Sequence, residues 1–151
     1  MSYVKHHSEP LQDIWLDAYG HLNDAYYVVA FTGAIWELQA ELGIGTEYFD
    51  ETGGAMYTVE SHVRYLNEVR APATLDIECM ILGSDEKRLH IGAVMKVDGM
   101  DRATVEFMCL HYDTKAGRVS PMPENVQVAL KAAEMAELPD WSGKQVAMPK
   151  K

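Results

Sequence analysis

Asp17, His21 and Asn23 place a carboxylate, an imidazole and an amide within seven positions, with Gly20 among them. A carboxylate can take a proton from water or attack a carbonyl carbon directly, and an imidazole or amide can order the water or the charge that develops. The stretch Asp17-Ala18-Tyr19-Gly20-His21-Leu22-Asn23-Asp24-Ala25-Tyr26-Tyr27 then runs straight into an apolar segment with helical spacing. Backbone N–H groups point outward at a helix start, and the helix dipole favours negative charge there. A polar turn at that place suits a reaction centre if the rest of the chain folds to bury it.

The flanking elements follow from periodicity. Leu11–Leu16 is rich enough in Ile and Trp to be a short strand. Asn23 is a good N-cap, and Asp24 in the first turn suits the dipole. From Asp24 to Leu42, Tyr27, Val28, Phe31, Ile35, Leu38 and Leu42 recur at steps of three and four, and Gly43 is the expected stop. Tyr26, Val29, Ala30, Ala34 and Trp36 put apolar groups on the other faces, which predicts a helix buried nearly all round. Residues 44–53 read as a loop. Four alternating segments follow, Ala55–Leu66, Thr74–Leu82, Arg88–Val97 and Ala103–Tyr112, with Asp98-Gly99 as a hairpin turn. In the first of these, Ala55, Tyr57, Val59, Val63 and Tyr65 share the apolar face. Asn125–Glu137 is a terminal helix, and residues 139–151 are a flexible tail after a single domain spanning 1–138. The predicted class is α+β, a five-stranded antiparallel sheet curled around a central helix. The sheet edge that one helix leaves open predicts pairing with a second copy.

Composition narrows the function. The chain has 151 residues, a single-domain length. Its net charge of -10 argues against nucleic acid, which needs a basic surface. The chain has two cysteines, Cys79 and Cys109, both in apolar runs and without metal-ligand spacing, so they read as buried thiols. No signal peptide or membrane-spanning run is evident, so a soluble cytoplasmic protein is expected, with no membrane partner.

The order strand, turn, central helix, four strands resembles the hot-dog fold over roughly Leu11 to Tyr112. The pattern Asp17-x-x-Gly20-His21-x-Asn23-x-x-Tyr26-Tyr27 resembles the signature of acyl-CoA thioesterases of the 4-hydroxybenzoyl-CoA thioesterase type. With the later Tyr65-Leu66-Asn67-Glu68-Val69, it is also similar to thioesterases of carnitine and betaine degradation. Asp24 departs from the pattern, because many members carry a second Asn there. The resemblance implies hydrolysis of an acyl-CoA to free acid and CoA, with no cofactor and no metal. It implies Asp17 as base or nucleophile, with His21 and Asn23 in support. Gly20, Asp24, Tyr26 and Tyr27 would contact substrate near backbone N–H donors for the oxyanion. It further implies a homodimer or homotetramer whose site lies between subunits.

A betaine-type substrate would need an aromatic or acidic pocket for its cation, with Trp15, Tyr26, Tyr27, Trp36 and Asp24 as candidates. Arg64, Arg70, Lys87 and Arg88 are candidates for the CoA phosphates. On spacing alone, Asp17 also suits a plain turn and His21 a backbone-bonded imidazole. Tyr26, Tyr27, Phe31 and Trp36 suit a core, Glu60, His62 and Arg64 a solvated or subunit-facing sheet surface, and His6-His7 a flexible terminus. Two other readings keep the fold but change the role: an enoyl-thioester hydratase or dehydratase, and a non-catalytic acyl-CoA-binding module. The first usually follows a Gly-His-Phe-Pro turn, and no proline follows His21.

Overall fold

The central helix sets the architecture. The computed structural model describes residues 2–148, and within it α1 spans Asp24–Glu41. The Asn23 side chain accepts the Ala25 N–H at 3.1 Å, which satisfies one orphan donor of the first turn. Gly43, at φ 79°, ends the helix in the left-handed conformation that glycine adopts without penalty. Tyr27, Ala30, Phe31, Ala34, Ile35 and Leu38 form its buried stripe. The expectation of burial all round fails on the opposite face, where Val29 is 49% and Trp36 53% exposed. One sheet curls around only one side of a helix, so those residues stay in solvent in the single chain.

Six strands form that sheet: β1 (Val4–Pro10), β2 (Gly54–Tyr65), β3 (Thr74–Ser84), β4 (Arg88–Val97), β5 (Met100–Asp113) and β6 (Arg118–Val119). The order is β1-β3-β4-β5-β2, with β6 added to β5, and every pairing is antiparallel. This is the expected hot-dog arrangement, with two corrections to its strands. The first strand is Val4–Pro10, not Leu11–Leu16, which instead holds a 3-10 turn at Asp13–Trp15. His6-His7 therefore lies in a strand and is no loose terminus. In β1, Lys5, His7 and Glu9 pair with the buried Cys79, Ile77 and Leu75 and so share the helix-facing side. Lys5 reaches Glu41 at 2.5 Å and His7 Nδ1 reaches Glu37 at 3.0 Å, so this edge docks on α1 through charge.

β2 holds the second correction. Its register slips between Thr58 and Glu60, which makes Val59 a bulge residue. A bulge inverts the alternation downstream of it. Met56 and Val63 both pack on the core, whereas Tyr57 turns outward and stacks on Tyr112 with ring centroids 4.8 Å apart. The Asp98–Gly99 turn is as expected, with both residues at positive φ (52° and 75°) as a two-residue hairpin of this type requires.

Residues 44–53 are not all loop, because α2 covers Thr46–Thr52. It is held by Tyr48, whose hydroxyl meets Nε2 of the buried His111 at 2.9 Å, while His111 Nδ1 donates to the Ser120 carbonyl at 2.8 Å. The terminal helix α3 spans Glu124–Ala133 and buries Val126, Leu130 and Ala133. The chain then crosses the outer sheet face. The Met135 N–H donates to the Ile81 carbonyl at 2.9 Å, and Trp141 packs with Met80, Leu82 and Val94. Among the described residues, no helix is long and apolar enough to cross a membrane.

The core lies between α1 and the concave face of the sheet, with Phe31, Leu38, Leu75, Ile81, Leu89, Ile91 and Met95 fully enclosed. Cys79 and Cys109 are free and buried in it, as expected of apolar thiols. Burial pushes the Cys79 thiol up to about 12, and it raises Cys109 as well. Both are therefore uncharged and shielded at pH 8. A disulfide-exchange thiol reagent is expected to label neither cysteine in the folded protein and both in strong denaturant; fast native labelling would contradict the packing.

Candidate active site

The polar turn is a small hairpin fastened to a second segment. The Asp17 N–H donates to the His21 carbonyl at 2.9 Å and the Gly20 N–H to the Asp17 carbonyl at 3.0 Å. Asp17 Oδ1 also accepts the Tyr19 N–H at 2.8 Å and the His21 N–H at 3.3 Å. Gly20 sits at φ 78°, and a Cβ there would come no nearer than 3.9 Å to Arg70, so the turn rather than crowding calls for glycine. Behind the hairpin, the Leu22 N–H donates to the Val69 carbonyl at 2.8 Å, and His21 bridges to Arg70. These ties bring the Tyr65–Val69 segment to the start of α1.

The two segments enclose an open cavity of about 330 Å³ lined by Asp17, His21, Leu22, Asp24, Tyr27, Tyr65, Leu66, Asn67 and Glu68. Four expected site residues, Asp17, His21, Asp24 and Tyr27, are on its wall. Gly20, Asn23 and Tyr26 are beside it: Gly20 shapes the turn, Asn23 caps α1, and Tyr26 stacks on Trp15 with centroids 6.1 Å apart. Tyr65 and Glu68 on the far wall were not among the expected site residues. The signal that pointed to them was the Tyr65-Leu66-Asn67-Glu68-Val69 motif.

The wall combines negative charge with aromatic surface. Asp17, Asp24 and Glu68 supply three carboxylates, and no Lys or Arg is among the lining residues. Tyr27 and Tyr65 meet edge to face at 5.1 Å, and the Tyr65 hydroxyl donates to the Asp24 carbonyl at 3.1 Å. Burial pushes both phenols above their ordinary value, and the Asp24 carboxylate adds to the effect at Tyr65, so both stay neutral in ordinary buffers. Glu68 Oε1 accepts from Arg70 Nε at 2.8 Å, and this bond is the main reason its carboxyl lies below the usual range. Glu68 Oε2 is 3.1 Å from His21 Nε2.

The remaining candidates lie elsewhere or are engaged. Trp36 is on the exposed face of α1, away from the cavity wall. Arg70 is paired with Glu68, Arg88 with Asp85 at 2.6 Å and Lys87 with Glu86 at 3.5 Å. His62 belongs to a separate cluster on the outer sheet face, where Glu106 meets His90 at 2.9 Å and the Gly143 N–H at 2.7 Å. Among the described residues, no group of three or more His, Cys, Asp or Glu is arranged to hold a metal ion.

One antiparallel sheet curled around a central helix is the hot-dog arrangement, and the carboxylate hairpin lies at the start of that helix. Residues 12–130 match the family model of the thioesterase-like superfamily, and the chain belongs to that family. It is 31% identical over 146 residues to a betainyl-CoA thioesterase of Pseudomonas aeruginosa, covering 93% of this chain and 92% of that one. It is 40% identical over 133 residues to an L-carnitine dehydrogenase/betainyl-CoA thioesterase of Agrobacterium fabrum, covering 85% of this chain. The match spans only 27% of that longer relative. A Staphylococcus aureus protein solved in complex with CoA superimposes with a TM-score of 0.90 at 20% identity, covering 99% of this chain and 98% of that one. A DHNA-CoA thioesterase from Staphylococcus aureus superimposes with a TM-score of 0.72 at 12% identity, covering 78% and 80%. At such identities these two structures speak for the fold.

Proposed function

We propose that this protein is an acyl-CoA thioesterase whose acyl group is small and carries a quaternary ammonium, as in betainyl-CoA. The observation that carries the substrate class is the cavity wall, with three carboxylates, two phenol rings and no Lys or Arg. A cation there gains from the carboxylates and from the ring faces. The names of the relatives at 31% and 40% identity support the same reading.

Asp17 is the group that activates the attack. Its Oδ1 is used by the turn, and Oδ2 is the atom left to take a proton from water or to attack the carbonyl itself. In the first case water oxygen bonds to the thioester carbon, Asp17 takes the water proton, the C–S bond breaks, and the proton passes to the departing CoA sulfur. The Asp24 N–H, first of α1, meets no acceptor among the described residues and is the donor proposed for the oxyanion. Asn23 supports the site by capping the helix that presents this N–H. Water is the only second reactant required.

The open edge of β2, with Tyr57, Val59 and Tyr65 exposed, is where a second copy is proposed to pair, which would wall the cavity from the far side. Free buried thiols agree with a reducing cytoplasmic setting.

A panel of acyl-CoA esters screened for free-thiol release tests the reading. Betainyl-CoA is expected to be cleaved faster than its neutral isostere 3,3-dimethylbutyryl-CoA. Asp24→Asn is expected to reduce kcat/KM for the cationic ester by about tenfold and to affect the neutral one much less. Equal rates on both esters in the parent would remove the cationic assignment. No thiol release from any ester would remove the thioesterase reading.

A further inference from the structure

We propose that Glu68 is a positioning residue that holds the His21 imidazole in place beside Asp17, a role that rests on the thioesterase reading above. His21 Nε2 is buried and has no aligned hydrogen-bond partner, yet Glu68 Oε2 is only 3.1 Å away. The two atoms are within hydrogen-bonding distance but not aligned as a bond. A buried polar ring nitrogen without a bond is costly, so this geometry favours completing the pair.

Glu68 lies on the cavity wall and is held at both its side chain and its main chain. Oε1 takes the Arg70 guanidinium at 2.8 Å, which leaves Oε2 for His21. Its backbone carbonyl accepts from Arg102 Nη1 at 3.2 Å. The next residue, Val69, accepts the Leu22 N–H at 2.8 Å, and Arg70 bridges to His21 itself. The carboxylate and the imidazole thus ride on two segments spliced by main-chain bonds. Their separation does not depend on long flexible side chains alone.

A carboxylate against one ring nitrogen decides where the ring proton sits. With Nε2–H donating to Glu68, the neutral ring keeps Nδ1 as its acceptor. His21 and Asp17 line the same cavity, so a ring fixed in this tautomer offers an acceptor to water bound there. Without Glu68 the ring is free to turn and to exchange tautomers. The attacking water then loses one of its fixed partners.

With the neutral ester, Glu68→Ala is expected to lower kcat about 10- to 100-fold with KM changed little, the usual scale for a displaced catalytic group. Glu68→Gln keeps an acceptor oxygen and is expected to recover the rate to within about threefold of the parent. In a His21→Ala background, Glu68→Ala should add no further loss. The ring itself gives a readout independent of activity. In ¹⁵N spectra at pH 8 the parent and Glu68→Gln should show His21 protonated at Nε2, and Glu68→Ala a mixture of tautomers. A parent ring protonated at Nδ1 overturns the proposal even if Glu68→Ala does not fold. So does a Glu68→Ala enzyme with parental kcat, or one whose loss is the same with and without His21. If no ester yields thiol, the function reading fails, while the ring spectra still decide whether Glu68 positions His21.

Discussion

Asp17→Asn is expected to lower kcat for thiol release by about 10²- to 10⁴-fold, the usual range for a group that moves a proton in the transition state. The substitution is chosen because it separates chemistry from folding. The Asp17 side chain also closes the hairpin, through Oδ1 and the N–H groups of Tyr19 and His21. An asparagine oxygen can accept both bonds, so the turn and the position of His21 should be kept. Only the negative charge and the basic Oδ2 are lost. KM for the neutral ester and the thermal midpoint should therefore stay near those of the parent while kcat collapses. Asp17→Ala would be a poorer test, since it also opens the turn. A parental rate in Asp17→Asn would remove Asp17 from the chemistry and leave it a turn residue.

Phe31→Ala is expected to cost about 3–5 kcal/mol of stability, as large-to-small changes of buried aromatic residues do. Phe31 is 0% exposed, at the centre of the α1 stripe and beneath the concave sheet. Truncation removes its transfer energy and leaves a cavity that a long helix between rigid strands cannot collapse to fill. Urea unfolding at one fixed protein concentration measures it, as a drop in midpoint with little change in slope. Trp36→Ala is the informative contrast, because Trp36 is 53% exposed in the single chain. Its loss should fall within about 0.5 kcal/mol. A cost near that of Phe31 would mean that a second copy covers this face.

The contrast also shows what periodicity can and cannot convey. The capped start of α1, its stop at Gly43 and the Asp98–Gly99 turn all follow from local chemistry that is written in consecutive residues. So do the inward rows of β3, β4 and β5. The exposed face of α1 was misread because Val29 and Trp36 are apolar, and apolarity alone does not say which faces a single sheet reaches. β1 was missed because its helix-facing side is Lys5, His7 and Glu9, of which Lys5 and His7 meet Glu41 and Glu37 of α1 through polar contacts rather than apolar burial. The face of β2 was half inverted by one bulge at Val59, and a bulge has no signature in alternation.

The cavity divides in the same way. Asp17, His21, Asp24 and Tyr27 were legible because they are neighbours along the chain, three of them within the resemblance and Asp24 as its departure. Tyr65 and Glu68 reach the site only by tertiary contact, through the Leu22–Val69 and His21–Arg70 ties. Their motif was visible, but its place opposite the hairpin was not. Nothing in the spacing of Glu68 and Arg70 indicates that one oxygen of the carboxylate is taken and the other is left for His21.

The splice between Leu22 and Val69 has an evolutionary consequence. Because main-chain atoms make the joint, the frame of the cavity is indifferent to which side chains project from it. Residues 65–67 then behave as an exchangeable cassette opposite the Asp17 hairpin. Selection could swap Tyr65 or Leu66 to suit a neutral, aromatic or longer acyl group while the Asp17 turn and Glu68 stay in register. Such a division between an inherited frame and a replaceable lining would let one small fold diversify its substrates without first having to relearn how to fold.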